Sequence, residues 1–140
     1  MSAESDYISS ESKNIIATVE MLEELIDKRE LTIYEVIALG KLLQDAYTGI
    51  ERILRTLLEE RGIKAIKSED WHKQLLLTAK EQSLISQAEW ETFRNLLLFR
   101  HMEIHGYGLM LDEKRLRQLA EPAPKLCRSF LKKIEKLNAR

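Results

Sequence analysis

A guanidinium and two imidazoles lie close together near the middle of the second half of the chain. Arg100, His101 and His105 are followed by Tyr107, which stands between Gly106 and Gly108. A guanidinium binds phosphate oxygens through paired hydrogen bonds, and an imidazole exchanges a proton near pH ~6.5. These residue types suit acid–base chemistry on a phosphate ester, and that chemistry needs no metal ion.

The spacing of these residues matters as much as their types. His101 and His105 share one face of a helix, whereas Arg100 and His105 lie roughly 140° apart around an ideal helix. Arg100 and His105 therefore converge only where the helix ends or unwinds. Gly106 permits left-handed backbone angles, so we expect the helix to end near it.

Arg100 occupies a position where an apolar residue is expected. The apolar seam of its helix comprises Trp90, Phe93, Leu97 and Ile104. A buried charge without a partner is costly, so Arg100 either extends to the bundle edge, pairs with a carboxylate, or lines a polar cleft that binds anions. Glu51 and Tyr47, on the face opposite part of the second-helix seam, are candidate partners across the bundle.

Two helices that must support this segment are evident upstream. Apolar residues at helical spacing predict a first helix over roughly residues 10 to 29. Thr32 and Glu35 form a capping box that begins a second helix of about 28 residues, which ends at Gly62. The seam of that helix comprises Val36, Leu39, Leu43, Ala46, Ile50, Ile53 and Leu57.

Further helices follow from capping and breaking residues. A short helix is predicted from about Asp70 to Lys80, and the capping box Ser86–Glu89 begins the helix that carries Arg100. Asp112 can cap a later segment, which Pro122 and Pro124 interrupt. The fold class is therefore all-α, an antiparallel bundle of about four to five helices, in one domain over residues 1–140.

Composition limits the cellular setting. The chain is 44% apolar and has a single cysteine, Cys127, so no intramolecular disulfide can form and a cytoplasmic location is expected. The first residues are polar and acidic, and no stretch approaches the ~18 apolar residues of a membrane span. Neither secretion nor a membrane partner is expected.

Charge is unevenly distributed although the net charge is −1. Residues 1 to 35 hold nine acidic and three basic side chains, whereas residues 114 to 140 hold nine basic and two acidic ones. Either the acidic and basic helices neighbour one another or point into solvent, or the basic tail faces RNA.

The segment Arg100–Tyr107 resembles the motif of HEPN-superfamily toxins, in which an Arg, four residues, a His, any residue and a Tyr follow one another. Tyr47–Ile53 resembles the long helix of HepT-like proteins, and Trp71–Leu76 resembles their tryptophan–histidine segment. Leu111–Lys114 is also similar to that family. The resemblance covers roughly residues 12 to 138.

This resemblance implies a metal-independent ribonuclease toxin of a toxin–antitoxin system, acting as a homodimer on transfer RNA or messenger RNA. It makes Arg100 and His105 catalytic and His101 a supporting cleft residue. It makes Tyr107 the acceptor of AMP from an MNT-type nucleotidyltransferase antitoxin. DNA, which lacks the 2′-hydroxyl nucleophile, is not expected to be cut, and no cofactor is expected.

Other interpretations of the same residues stay open. His101, His105 and His72 could bind zinc, but the neighbouring Arg100 would repel a cation and no acidic or cysteine ligand is suitably spaced. Trp71 could simply clamp a short helix onto the bundle, and Tyr107 could pack against it. The chain could also be a non-catalytic binding module or the substrate-recruiting subunit of a nucleotidyltransferase.

Overall fold

The computed structural model describes residues 2–64, 70–102 and 112–138, and every regular element in those ranges is an α-helix. The helices are α1 (Ala3–Asp27), α2 (Ile33–Glu60), α3 (Trp71–Glu81), α4 (Gln87–Met102), α5 (Glu113–Ala120) and α6 (Ala123–Asn138). The all-α helical bundle is thus confirmed. The described part has six helices because the proline-interrupted segment forms two of them, and none is both long and apolar enough to span a membrane.

Local sequence accounts for most helix ends. The Thr32 hydroxyl accepts the Glu35 amide at 3.2 Å, and the Glu35 carboxylate accepts the Thr32 amide at 2.9 Å. Ser86 and Glu89 form the equivalent box at the start of α4, with distances of 3.1 and 2.7 Å. These reciprocal bonds satisfy amides that the helix leaves unpaired, which is why both predicted capping boxes are confirmed.

The end of α2 uses glycine's backbone freedom. Gly62 has a φ of +78°, and the amide of Ile63 donates to the Leu58 carbonyl at 2.9 Å. This bond closes the last turn in the manner of a Schellman motif. The predicted stop at Gly62 and the length of 28 residues are both confirmed.

The first helix begins earlier than its apolar spacing suggests. Ser2 caps α1 by accepting the Ser5 amide at 3.0 Å, and Ile8 is only 1% exposed. Ile8 extends the buried face of Ile15 by two turns. The predicted start near residue 10 is wrong because one apolar residue among polar neighbours gives little periodic signal.

The long helix α2 is the centre of the bundle, since α1, α3, α4 and α5 all pack against it. All seven residues of its predicted seam are buried. Tyr47 and Glu51 are buried as well, at 0% and 6% exposure, so the buried surface of α2 extends beyond the predicted seam. A helix surrounded by four others buries a wider face than an a/d stripe.

The acidic α1 and the basic α6 are neighbours. Arg128 of α6 donates to Glu23 of α1 at 2.6 Å, and Arg117 of α5 donates to the Lys28 carbonyl at 2.8 Å. This arrangement supports the interpretation in which opposite charges lie beside one another. Lys125 and Lys132 of α6 nevertheless stay exposed.

Cys127 lies on the buried face of α6. Burial, together with the nearby Glu89 carboxylate, raises the pKa of its thiol to about 12. The thiol therefore stays protonated at neutral pH, as expected of a small packing residue on a helix face.

The close approach of α1 and α2 at Gly49 yields a stability prediction. A Cβ at Gly49 would lie 2.6 Å from Cγ1 of Ile15, a stiff β-branched side chain. Gly49→Ala should lower the free energy of unfolding by about 1 kcal/mol, because overpacking outweighs the gain in helix propensity. Urea unfolding followed by circular dichroism measures the change.

The matched control is the same substitution in an Ile15→Ala background. With Cγ1 removed, only the helix-propensity gain is left, so Gly49→Ala should raise the free energy of unfolding by up to about 1 kcal/mol. The same sign in both backgrounds would contradict this account of the contact.

Candidate active site

Arg100, in the last turn of α4, pairs with a carboxylate across the bundle. Its Nη1 lies 3.6 Å from Oε1 of Glu51 on α2, and 25% of the Arg100 side chain is exposed. The pairing expected between Arg100 and Glu51 is confirmed. The exposed quarter of the side chain does not include Nη1, which is buried, so the ion pair leaves another part of Arg100 open to solvent.

Glu51 is a buried carboxylate at which three helices meet. Its Oε2 accepts a hydrogen bond from Oη of Tyr47 at 2.8 Å and lies 2.6 Å from Nδ1 of His72 on α3. Its Oε1 faces Arg100. Burying a carboxylate is tolerable only when donors and an opposite charge surround it, and these three side chains supply both.

Tyr47 is a fixed donor in this cluster. Burial, followed by the negative charge of Glu51 and the hydrogen bond to it, raises the pKa of the Tyr47 phenol far above its usual range. Its proton therefore stays on Oη and points at the carboxylate. The guanidinium carbon of Arg100 lies 6.0 Å from the centre of the Tyr47 ring, and its charge works against the shift.

Trp71 and His72 begin α3 and tie it to α2. The centroids of the two rings are 3.7 Å apart. The guanidinium carbon of Arg55, on α2, lies 4.3 Å from the centre of the Trp71 ring. Trp71 also packs against the core. The clamp expected of Trp71 is confirmed, and its neighbour His72 is thereby brought to Glu51.

A cavity of about 270 Å³ lies beside this cluster. Its lining residues are Asp70, His72, Lys73, Leu97, Leu98 and His101. His101, the predicted supporting residue, therefore lies at the cavity with an exposed side chain. Among the described residues, Nη1 of Arg100 is buried without a hydrogen bond, so the guanidinium is held by charge attraction alone at that atom.

The structure brings Arg100, His101 and His72 to one place. His105 and Tyr107 lie outside the described residues, and their roles stay predictions. Within residues 2–64, 70–102 and 112–138, no group of three or more His, Cys, Asp or Glu side chains could hold a metal ion. The cluster around Glu51 consists of hydrogen-bond donors and the cation Arg100 about one carboxylate, which is suited to orienting that guanidinium toward an anion.

Sequence reasoning missed His72 as a member of the site and left Glu51 as one of two candidate partners. A usable signal was present in α2, where Tyr47 and Glu51 are four residues apart and so share a face. An acid beside an otherwise apolar seam demands buried partners. The histidine that meets it lies 21 positions further along the chain, and no local pattern connects the two.

Comparison with known proteins bears on these residues directly. The family model described as HepT-like protein matches residues 38–140. The chain belongs to the HepT-like family. The match includes the cluster around Glu51 and the segment from Arg100 to Tyr107, and it omits all of α1 and the first turn of α2. No curated protein and no solved structure matches the chain.

The buried hydroxyl of this HepT-like protein leads to a second prediction. Tyr47→Phe removes the donor to Glu51 and should lower the free energy of unfolding by about 1 to 3 kcal/mol, as expected for a buried bond to a charged group. Tyr34→Phe is the matched control, because Tyr34 is 80% exposed and should change stability by less than about 0.5 kcal/mol. Equal effects of the two substitutions would contradict a buried Tyr47–Glu51 bond.

Proposed function

We propose that this HepT-like protein is a metal-independent ribonuclease toxin of a toxin–antitoxin system, with Arg100 and His105 as its catalytic residues. One observation carries the proposal. Arg100 of the family-type motif is held by buried Glu51, whose other partner His72 lines a cavity, while 25% of the Arg100 side chain is exposed. Membership of the HepT-like family supports the same function.

The proposed reaction is an internal transfer within the RNA strand. The 2′-oxygen forms a bond to the adjacent phosphorus, and the bond from phosphorus to the 5′-oxygen of the next nucleotide breaks. His105 takes the proton from the 2′-hydroxyl, and His105 of the partner subunit gives a proton to the departing 5′-oxygen. The products are a 2′,3′-cyclic phosphate and a free 5′-hydroxyl.

Arg100 stabilises the charge that grows on the non-bridging phosphate oxygens. Such stabilisation is effective only when the donor is oriented before the reaction begins. Glu51 provides that orientation, because it holds one side of the guanidinium from inside the bundle. Lysine should replace Arg100 poorly, since a single ammonium cannot form the paired hydrogen bonds of the planar fork.

The proposed assembly is a homodimer in which the two Arg–His segments face one cleft. A two-fold axis places the same residues on both sides of the substrate, so one chain supplies half of the acid–base pair. His105 follows Arg100 by five residues in the chain. The dimer therefore has to form near the end of α4.

Cleavage of RNA by the purified chain tests this function. In the presence of EDTA, the wild type should cut transfer RNA or messenger RNA, and Arg100→Ala or His105→Ala should slow cleavage at least about a hundredfold. Arg94→Ala is the matched control, because Arg94 lies on the same helix with an exposed side chain and should leave the rate unchanged. Gel analysis and detection of the cyclic phosphate end follow the reaction.

Three results would overturn the proposal. Equal cleavage by all variants would show a contaminating nuclease, and cutting of DNA would exclude attack by the 2′-hydroxyl. Absence of cleavage by protein whose Tyr107 is unmodified by mass spectrometry would favour a non-catalytic binding module or a substrate-recruiting subunit of a nucleotidyltransferase.

The proposed means of control is covalent. An MNT-type nucleotidyltransferase antitoxin transfers AMP to the phenol oxygen of Tyr107, with pyrophosphate leaving from ATP. An adenylate added to Tyr107 would occupy the proposed cleft and repel the phosphates of RNA. Gly106 and Gly108 flank Tyr107 in the sequence, and neither has a side chain that would compete with AMP for room.

Incubation with such a nucleotidyltransferase and ATP tests this step. Intact-mass measurement should show added adenylate and RNA cleavage should stop, whereas Tyr107→Phe should gain no mass and keep cleaving. Tyr34→Phe, at an exposed tyrosine, should be modified like the wild type. Unchanged adenylation of Tyr107→Phe would assign the acceptor to another residue.

A further inference from the structure

The cavity beside Glu51 has a polar side that the proposed chemistry at Arg100 and His105 does not use. His72 and Lys73, neighbours in the first turn of α3, line it opposite His101 of α4. We propose that His72 and Lys73 form a second phosphate-binding subsite, which holds the RNA phosphate next to the one bound by Arg100. The inference rests on the proposed ribonuclease function and names where its substrate strand lies.

The ring of His72 is oriented before any ligand arrives. Glu51 has only acceptor atoms to offer, so the proton of the 2.6 Å contact belongs to Nδ1 of His72. Nε2 is then the ring nitrogen left for a ligand. Stacking on Trp71 at 3.7 Å fixes the ring plane, and 29% of the His72 side chain is exposed.

The position of His72 relative to Arg100 follows from their common partner. The two side chains contact different oxygens of the same Glu51 carboxylate. Nδ1 of His72 and Nη1 of Arg100 lie 2.6 and 3.6 Å from that carboxylate, so the two side chains are close neighbours. A strand whose phosphate contacts Arg100 must place a neighbouring phosphate close by, since every nucleotide carries one.

The cavity lining contains groups that would attract a phosphate and one carboxylate that would repel it. Lys73 contributes a full positive charge, and Nε2–H of a protonated His72 would donate to a phosphate oxygen while Glu51 stabilises the imidazolium. Asp70, also in the lining, would repel the same phosphate. Its side chain makes no capping hydrogen bond to α3, so its charge can be removed without disturbing the helix start.

Binding of a non-cleavable strand tests the subsite independently of catalysis. The probe is a short single-stranded oligoribonucleotide with every 2′-hydroxyl methylated, which keeps the phosphates and removes the nucleophile. Lys73→Gln should weaken binding several-fold and reduce the slope of log affinity against log salt by about 0.7, the value for one phosphate contact on a single strand. Asp70→Asn should tighten binding, because it removes the repulsion.

The His72→Asn variant distinguishes phosphate binding by Nε2 from structural support of Glu51 by Nδ1. An asparagine amide can take the place of Nδ1 and donate to Glu51, but it has no atom at the position of Nε2. A purely structural role for His72 predicts unchanged affinity in this variant, whereas the subsite predicts a several-fold loss. Circular dichroism of each variant checks that the helix content of the bundle is unchanged.

Lys41→Gln is the matched control for the loss of one positive charge. Lys41 is exposed, pairs with Asp45, and lies about 15 Å from Glu51 along α2 by the rise of the helix. Its substitution should leave affinity and salt slope unchanged. The subsite would be overturned if Lys73→Gln and His72→Asn bind the probe as tightly as Lys41→Gln does. Failure of the wild type to bind the probe would overturn it as well.

The two proposals can fail separately. Probe binding that depends on Lys73 and His72, in a protein that cuts no RNA, would overturn the ribonuclease and keep the phosphate subsite. RNA cleavage by Lys73→Gln and His72→Asn with an unchanged KM would overturn the phosphate subsite and keep the ribonuclease.

Discussion

The bundle is organised around one buried negative charge. Glu51 lies within α2, against which four of the other described helices pack, and a carboxylate in that place is stable only with donors and a cation around it. Tyr47, His72 and Arg100 meet that requirement from three different helices. The demand of one side chain for partners therefore fixes how α3 and α4 sit on α2, and it places a guanidinium and an imidazole side by side.

Local chemistry in the sequence was sufficient for the fold. Both capping boxes, the stop at Gly62 and the cap at Asp112 are formed within a few residues, so neighbouring residue types were enough to predict them. The seam of α2 was equally clear, because many apolar residues repeat at one period. The start of α1 was missed where that repetition depends on Ile8 alone.

The site depends on contacts distant in sequence, and there prediction was less complete. Arg100 stood out because a permanent charge interrupted an apolar seam, and its pairing with Glu51 followed from the cost of burial. Nothing near His72 indicated that it would share that carboxylate, since the contact depends on how α3 docks. The burial of Tyr47 and Glu51 likewise depends on how many helices surround α2. The spacing of apolar residues within α2 does not reveal that number.

The docking of α3 also has a thermodynamic consequence. This helix has 11 residues and buries only Leu75, Leu76 and Ala79 along its length, so it adds little apolar surface to the core. Much of its attachment comes from the stacked Trp71 and the His72–Glu51 contact at its first turn. Partial opening of the native state should therefore begin with α3, and its backbone amides should exchange with solvent before those of α2. Any molecule that binds His72 in the docked helix would suppress this local unfolding. Occupancy of the cavity and folding of α3 onto the bundle are therefore linked equilibria.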